Sequence, residues 1–143
     1  MPAFSETSEA RLKTCHPKII QIMRFAIEVI DFKILCGYRG EEEQNAAYPK
    51  YSLVKYPLSK HNHMEDGKPC SLAIDIIPYD NILHTIVGWD DAESFALLAG
   101  HVKMAAYAFD IKLRWGHDWN NNNILSDEKG KFVDRPHFEL MEA

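Results

Sequence analysis

The chain has 143 residues, of which 46% are hydrophobic and 26% are charged, and its formal net charge is -5 at pH 7. We predict one globular domain over residues 1–143, and the negative charge argues against a protein that binds nucleic acid by neutralising phosphates. Because the sequence has neither an apolar run of roughly 20 residues nor the basic and apolar start of a signal peptide, we expect it to be made in a cytoplasm without stable membrane association.

The first part of the chain predicts helices followed by a strand. Ser5 or Thr7 can cap a first helix, because a side-chain oxygen accepts a free N–H of the first turn. Apolar residues then recur at three- and four-residue spacing from Leu12 to Ile30, and Pro17 within this run predicts a kink or a helix that restarts. The following residues predict a strand over 32–36, a short helix over 41–48 and a loop over 49–57.

The second part predicts three strands and a long helix. β-Branched and apolar residues over 71–77 predict a central strand that Pro78 closes. A helix is predicted over 93–111, and further strands over 113–116 and 136–140, with an exposed loop at 120–130. The predicted fold class is α+β: a small, mainly antiparallel sheet packed against long helices, with the functional site at the sheet cleft.

Three residues that lie far apart in the sequence share one chemistry. They are His61, Asp75 and His137. Two imidazoles and one carboxylate are the ligand set of a catalytic zinc site whose fourth tetrahedral position is open to water. Asp134, three residues before the last histidine, stands where a general base for that water is expected. Spacing alone does not prove that these residues converge, since a lone histidine or aspartate is more often a hydrogen-bonded or surface residue.

Five motifs around these residues occur in one order. They are Gly37-Tyr38-Arg39 followed by Glu43-Gln44-Asn45, Ser59-x-His61, Ala73-x-Asp75, Trp115-Gly116-x-Asp118-Trp119 and Asp134-x-Pro136-His137-Phe138-Glu139. Together they resemble the zinc peptidase family that contains D-alanyl-D-alanine carboxypeptidases and L-alanyl-D-glutamate endopeptidases. The resemblance covers most of the chain, from about Leu12 to Leu140, and is strongest to the small single-domain phage endolysins of that family.

The resemblance implies a role for each of the main site residues. His61, Asp75 and His137 would hold one Zn²⁺ per chain, and Asp134 would be the catalytic carboxylate that passes a proton from water to the leaving amine. Zinc in such a site lowers the pKa of water and polarises the scissile carbonyl. Arg39 would be catalytic as well, because a guanidinium can hold a substrate carboxylate or stabilise a developing oxyanion.

Further residues of the motifs are candidates for binding substrate or supporting the site. They are Ser59, Gln44, Asp118 and Trp115. We expect Asp118 to orient a ligand histidine, and Ser59 either to bind substrate or to cap its loop. Trp115 and Trp119 are expected in the core or in the cleft wall. Glu139 is expected to face away from His137 and to be structural.

The segment between the first two proposed ligands leaves two points open. His63 could replace His61 as the first ligand, although the Ser59-Lys60 context favours His61. Cys70 could have a metal or redox role, whereas Cys15 and Cys36 are predicted to be small buried hydrophobes.

Two other patterns in the chain resemble known sites but receive a simpler interpretation. The string His61-Asn62-His63 does not indicate an HNH nuclease, because the three residues of that motif are widely spaced and this chain is acidic. The pair Asp127-Glu128 predicts a solvated turn rather than a calcium site.

The leading interpretation of the sequence is a zinc-dependent endolysin that hydrolyses peptidoglycan stem peptides, with the L-alanyl-D-glutamate bond as the expected target. The alternatives are a D-alanyl-D-alanine carboxypeptidase or dipeptidase, and a zinc-containing cell-wall-binding domain without catalytic activity. We expect a monomer made in the host cytoplasm and acting on the cell wall or in the periplasm. A phage-encoded protein of this kind would need a holin-type export helper.

Overall fold

The computed structural model describes residues 2–142. Its helices are α1 (Glu6–Leu12), α2 (Pro17–Ala26), α3 (Glu41–Ala47) and α4 (Ala92–Ala108), with 3-10 turns at Lys60–Asn62 and Ser126–Glu128. Its strands are β1 (Phe32–Cys36), β2 (Met64–Glu65), β3 (Lys68–Pro69), β4 (Ala73–Asp80), β5 (Thr85–Ile86), β6 (Leu113–Trp115) and β7 (His137–Leu140). The predicted α+β class is confirmed. Within these residues, no helix has the length and apolar character needed to cross a bilayer.

The main sheet is antiparallel, with the strand order β1-β4-β7-β6. The short strand β5 pairs with the far end of β4, while β2 and β3 form a separate hairpin. In the pairing of β4 with β7, Asp75 lies directly opposite His137. Because side chains of directly opposed residues lie on one face with Cβ atoms about 5 Å apart, the strand register itself brings two of the proposed ligands together.

Capping residues and Pro17 determine where the first two helices begin. The Ser5 hydroxyl oxygen accepts a hydrogen bond from the Ser8 N–H (3.2 Å) and so caps α1. The helical run does not kink at Pro17 but restarts there, because proline lacks only an N–H that the first turn of a helix leaves free. The His16 ring caps the new helix, with Nδ1 accepting from the Lys18 N–H (3.1 Å).

Pro78 lies inside β4, so the prediction that it closes the strand was wrong. The strand continues to Asp80 because the Pro78 carbonyl accepts a hydrogen bond from the Val87 N–H (3.1 Å), next to the pairing with β5. Strand β7 pairs with β4 only as far as Asp75, so β7 requires no N–H from Pro78.

The hydrophobic core lies between the helices and one face of the sheet. Helix α4 packs on α2, β4 and β6, while α1 packs on β1. The largest fully buried side chains include Phe32, Phe95, Phe138, Ile19, Ile22, Ile74 and Ile76. Burial of each such side chain contributes about 1.5–3 kcal/mol to folding. Because successive strand residues point to opposite faces, Ile74 and Ile76 in the core place Asp75 on the face away from α4.

Candidate metal and catalytic site

His61 is held by a tightly capped 3-10 turn. The Ser59 hydroxyl oxygen accepts from the His61 N–H (3.1 Å), and the Ser59 N–H donates to Asn62 Oδ1 (3.0 Å). Of the two roles expected for Ser59, capping is therefore the one visible in its hydrogen bonds, although the residue also lines the cleft. The turn buries the His61 ring to 2% exposure.

The three proposed ligands meet at one carboxylate oxygen. Asp75 Oδ1 lies 3.4 Å from His61 Nε2 and 3.1 Å from His137 Nδ1. The centroids of the two imidazole rings are 5.2 Å apart. The fold thus brings His61 to the pair that the β4–β7 register creates.

In each imidazole ring, the nitrogen that points away from Asp75 makes a hydrogen bond. That bond determines which nitrogen has a lone pair available for a metal ion. His61 Nδ1 lies 2.7 Å from the Gly37 carbonyl oxygen, so Nδ1 carries the proton and a neutral ring keeps its lone pair on Nε2. That buried Nε2 has no hydrogen-bond partner among residues 2–142. His137 Nε2 lies 2.9 Å from Glu139 Oε1, which leaves the lone pair of the neutral ring on Nδ1. Both lone pairs are therefore on the nitrogens that face Asp75.

The carboxylate and the two imidazoles change one another's pKa. Burial raises the pKa of Asp75, but His61 and His137 lower it far more, so its pKa lies well below the usual range. Burial also opposes a charge on His61, yet Asp75 raises its pKa to about 10. For His137, hydrogen bonds to Asp75 and Glu139 outweigh burial and raise the pKa. A carboxylate that stays ionised at this depth is suited to hold a cation.

Arg39 and Gln44 support the other oxygen of Asp75. Arg39 Nη2 donates to Asp75 Oδ2 (3.2 Å), and Arg39 Nη1 donates to Gln44 Oε1 (3.0 Å). The amide of Gln44 is fully buried and donates in turn to Ser52 Oγ (2.7 Å) and to the Val54 carbonyl (2.8 Å). Gln44 therefore connects Arg39 to the loop that forms one wall of the cleft.

Glu139 contacts His137, so the expectation that it faces away was wrong. Residues two apart on a strand share a face, and Glu139 is the second residue after His137. Its carboxylate also accepts from Arg114 Nη2 (2.8 Å) and lies 3.2 Å from Lys60 Nζ. Burial raises the pKa of Glu139, but the hydrogen bonds from His137 and Arg114 lower it to about 2.

Asp118 does not orient a histidine, contrary to the sequence expectation. Its fully buried carboxylate lies 2.7 Å from Lys103 Nζ and accepts from the N–H groups of Asn122 and Asn123. It therefore supports the loop after β6, while Glu139 has the role expected of Asp118. Strand alternation was the signal that could have identified Glu139.

In the loop after β6, Asp127 is exposed, as the predicted solvated turn requires, but Glu128 is not. Glu128 is buried, and its carboxylate accepts from the Trp119 N–H (2.9 Å). This bond holds Trp119 in the cleft wall, where its ring centroid lies 5.8 Å from that of His137. Trp115 is buried in the core and stacks on Phe138.

Asp134 is placed beside the proposed ligands by Gly116. The Asp134 N–H donates to the Gly116 carbonyl, and the Gly116 N–H donates to the His137 carbonyl (both 2.7 Å). A Cβ at Gly116 would overlap the Asp134 carbonyl oxygen, so this close approach requires glycine. Ligand-type atoms of Asp75, Asp134 and His137 lie within 4.8 Å of one another. Burial, and then the charge of Asp75, raises the pKa of Asp134.

His63 and two of the cysteines lie outside this centre. His63 Nδ1 lies 2.9 Å from the Cys70 carbonyl oxygen, and His63 contributes no atom to the groups around Asp75. Cys15 and Cys70 are buried, and Cys70 Sγ donates to Glu65 Oε2 (2.8 Å). Cys36 is only half-buried and lies beside the site, with Sγ 4.0 Å from His61 Nδ1.

The site opens into a cleft with a volume of about 460 Å³. One wall consists of Tyr51, Leu53, Val54 and Leu58, and the other of Trp119 and Phe132. The polar floor contains Arg39, Lys60, His61, Asp134, His137 and Glu139. A cleft that combines apolar side chains with charged groups beside the ligand cluster suits a peptide substrate.

Comparison with known proteins identifies the family. Residues 2–141 match the family described as phage L-alanyl-D-glutamate peptidase. The chain belongs to this family. It is 34% identical to the L-alanyl-D-glutamate peptidase of Escherichia phage T5, with 96% of this chain and 97% of that protein covered.

A solved structure supports the fold independently. The L-Ala D-Glu endopeptidase ChiX of Serratia marcescens superposes with a TM-score of 0.68 at 21% identity, covering 97% of this chain and 90% of that chain. This likeness supports the α+β fold. Family membership confirms the resemblance found in the sequence and the prediction that the protein is a peptidase.

Proposed function

We propose that this protein is a zinc-dependent peptidase that hydrolyses the L-alanyl-D-glutamate bond of peptidoglycan stem peptides. The family and the phage T5 relative support the choice of bond. The observation that carries the proposal is the buried Nε2 of His61, which has no hydrogen bond to any described residue and faces the carboxylate of Asp75 beside His137.

The donor set fits zinc. His61 Nε2, His137 Nδ1 and a carboxylate oxygen of Asp75 would hold the ion, because neutral imidazole and carboxylate are common zinc ligands. Glu139 and the Gly37 carbonyl fix the tautomers that leave these two nitrogens available. Zinc bound there would supply Lewis acidity to the scissile carbonyl and to the attacking water.

Asp134 is the proposed general base and acid. It takes the proton of the attacking water and transfers it to the nitrogen of the leaving D-glutamate. Its raised pKa suits a group that must hold a proton between these two steps. Its position next to Asp75 and His137 gives it access to the same point of the cleft.

Arg39 is the proposed stabiliser of the negative charge that develops on the scissile carbonyl oxygen. Two of its nitrogens are already hydrogen-bonded, to Asp75 and Gln44. A guanidinium has five N–H donors, so further donors remain for an oxyanion. Because Gln44 also binds the cleft wall, the position of Arg39 depends on that loop.

The proposal extends to where the enzyme works. We propose a single-domain monomer that is made in the host cytoplasm and reaches the cell wall with the help of a holin-type protein. Membership of a phage peptidase family supports this part.

The test combines metal content with product analysis. Elemental mass spectrometry should find one zinc per chain in the wild type and in His63→Ala, and none in His61→Ala. Mass spectrometry of a digested muropeptide should find new peptides that begin with D-glutamate. Release of terminal D-alanine would instead indicate the carboxypeptidase alternative. Protein without zinc and without activity after zinc addition would leave the cell-wall-binding alternative.

A further inference from the structure

Among the arginines of residues 2–142, Arg135 is the one whose side chain has no hydrogen-bond or salt-bridge partner there. Arg11 donates to the Ile34 carbonyl, Arg24 pairs with Glu9, Arg39 pairs with Asp75, and Arg114 pairs with Glu139. The side chain of Arg135 makes no hydrogen bond or ion pair with any residue in 2–142, and its Nε is buried. A partly buried guanidinium without an acceptor is costly, so an acceptor from outside the chain would stabilise it.

The surroundings of Arg135 form a cavity of about 610 Å³. It is lined by Tyr51, Trp89, Val133, Asp134, Arg135 and Pro136. Tyr51 and Asp134 also line the catalytic cleft, so the two spaces adjoin at the proposed general base. A ligand in the cleft can therefore extend past Asp134 towards Arg135.

The other cations of the cleft already have protein acceptors. Arg39 is bound to Asp75 and Gln44, and Lys60 lies 3.2 Å from Glu139 and donates to the Leu140 carbonyl. Arg135 is thus the cation near the reaction centre whose side chain has no protein acceptor among the described residues. In the proposed mechanism the leaving nitrogen receives its proton from Asp134, and Arg135 directly follows Asp134 in the chain and lines the cavity that adjoins it.

We propose that Arg135 binds the free carboxylate of the D-glutamate residue whose nitrogen is released. This inference rests on the proposed function. D-Glutamate has two carboxyl groups, and when one continues the peptide the other stays ionised on the same residue as the leaving nitrogen. A guanidinium that binds this carboxylate would hold the nitrogen near Asp134 and make the enzyme select an acidic residue at this position.

The test uses two synthetic stem peptides that differ in one group. One contains D-glutamate with its free carboxylate, and the other has that carboxyl converted to a primary amide. The wild type should cleave the acid with a kcat/KM about 10- to 100-fold higher than the amide. In Arg135→Gln, kcat/KM should fall by that factor for the acid and change little for the amide.

A matched control removes the same charge elsewhere. Arg24→Gln breaks an exposed ion pair with Glu9 and should leave the acid-to-amide ratio unchanged. Arg135→Lys keeps the charge but loses the planar fork, so it should retain part of the preference. Melting temperatures of all variants separate a binding effect from damage to the fold, because a structural role would lower kcat/KM equally for both peptides.

The outcomes distinguish this inference from the proposed function. Equal cleavage of both peptides by the wild type, or an equal loss on both in Arg135→Gln, would overturn the carboxylate site while leaving the peptidase assignment intact. Failure of the wild type to cleave either peptide would overturn the proposed function and the inference together. Isothermal titration of the product peptide that begins with D-glutamate provides a readout without turnover: its affinity should fall about 10- to 100-fold in Arg135→Gln.

Discussion

Two clusters of this chain contain similar donor groups but differ in what their histidines do. In the first, His61 and His137 flank Asp75 with their lone pairs facing it. In the second, His16 Nε2, Glu65 Oε2 and Cys70 Sγ lie within 4.8 Å of one another. By distance alone both clusters contain candidate metal sites, since Asp75 forms one such group with Cys36 and His61 and another with Asp134 and His137.

The bonds on the far side of each histidine separate the two clusters. His16 Nδ1 accepts from the Lys18 N–H, so the neutral ring carries its proton on Nε2, the nitrogen that faces Glu65 at 4.0 Å. Burial and Glu65 raise the pKa of the Cys70 thiol to about 11, and its Sγ donates to Glu65 Oε2 (2.8 Å). In the second cluster the His16 lone pair thus accepts from a backbone N–H and points away from Glu65, whereas in the first the neutral rings direct their lone pairs towards Asp75.

The largest expected effect comes from removing a histidine of the first cluster. His137→Ala should lose zinc and reduce peptidase activity by at least about 1,000-fold, because the ion supplies several kcal/mol of transition-state stabilisation. His16→Ala should keep both zinc and activity. Elemental analysis and muropeptide hydrolysis check this pair, and zinc loss in His16→Ala would reverse the assignment of the two clusters.

Asp134→Asn should separate chemistry from metal binding. The amide cannot take a proton, so kcat should fall by about 100- to 10,000-fold while zinc content stays at one per chain. Steady-state kinetics and elemental analysis of the same preparation are the measurement. Activity close to that of the wild type would remove Asp134 from the mechanism.

Removal of zinc should destabilise the proteins that keep both histidines of the first cluster. An ion that binds only the folded chain at about 1,000 times its dissociation constant contributes about 4 kcal/mol, which corresponds to roughly 10 °C in Tm for a chain of this size. Calorimetry with and without a chelator should show this shift in the wild type and in His16→Ala. The Tm of His137→Ala should not respond to the chelator.

The glutamates that contact the histidines of the two clusters should also differ in their effect on zinc affinity. Glu139→Ala removes the partner that fixes the tautomer of His137 and should weaken zinc binding about 10- to 100-fold. Glu65→Ala is the matched control and should leave the zinc affinity unchanged. Competition with a chromogenic chelator measures both affinities, and equal values for the two variants would contradict the role given to Glu139.

The smallest effect concerns the helix cap formed by His16. Its Nδ1 lone pair accepts from the Lys18 N–H and is therefore not available to a metal ion. His16→Ala should lower the free energy of unfolding by about 1 kcal/mol, because the Lys18 N–H loses its acceptor. His16→Asn should retain most of that stability, since asparagine is a good N-cap. Urea denaturation compares the three proteins, and equal stability of all three would rule out a capping role.

Sequence reasoning succeeded where a signal is local. The strand over 32–36 is confirmed because a short apolar run ends at Gly37. Of the two outcomes predicted at Pro17, a kink or a restart, the helix restarts, because proline is tolerated in a first turn. It failed at Pro78, where the effect of a missing N–H depends on which neighbouring strand is present. It also failed at Glu128, whose burial depends on a hydrogen bond to Trp119 across the loop.

The functional site also has features that the sequence predicted and features that it did not. The sequence by itself determined the residue types and the motif order that identified His61, Asp75, His137 and Asp134 as one candidate centre. Only the tertiary structure decided that Glu139 rather than Asp118 supports His137, and that the Arg135 side chain has no partner among the described residues. The physical reason is that the residue type fixes the chemistry of a side chain. Its hydrogen-bond partners depend instead on strand register and loop packing, which bring together residues far apart in the chain.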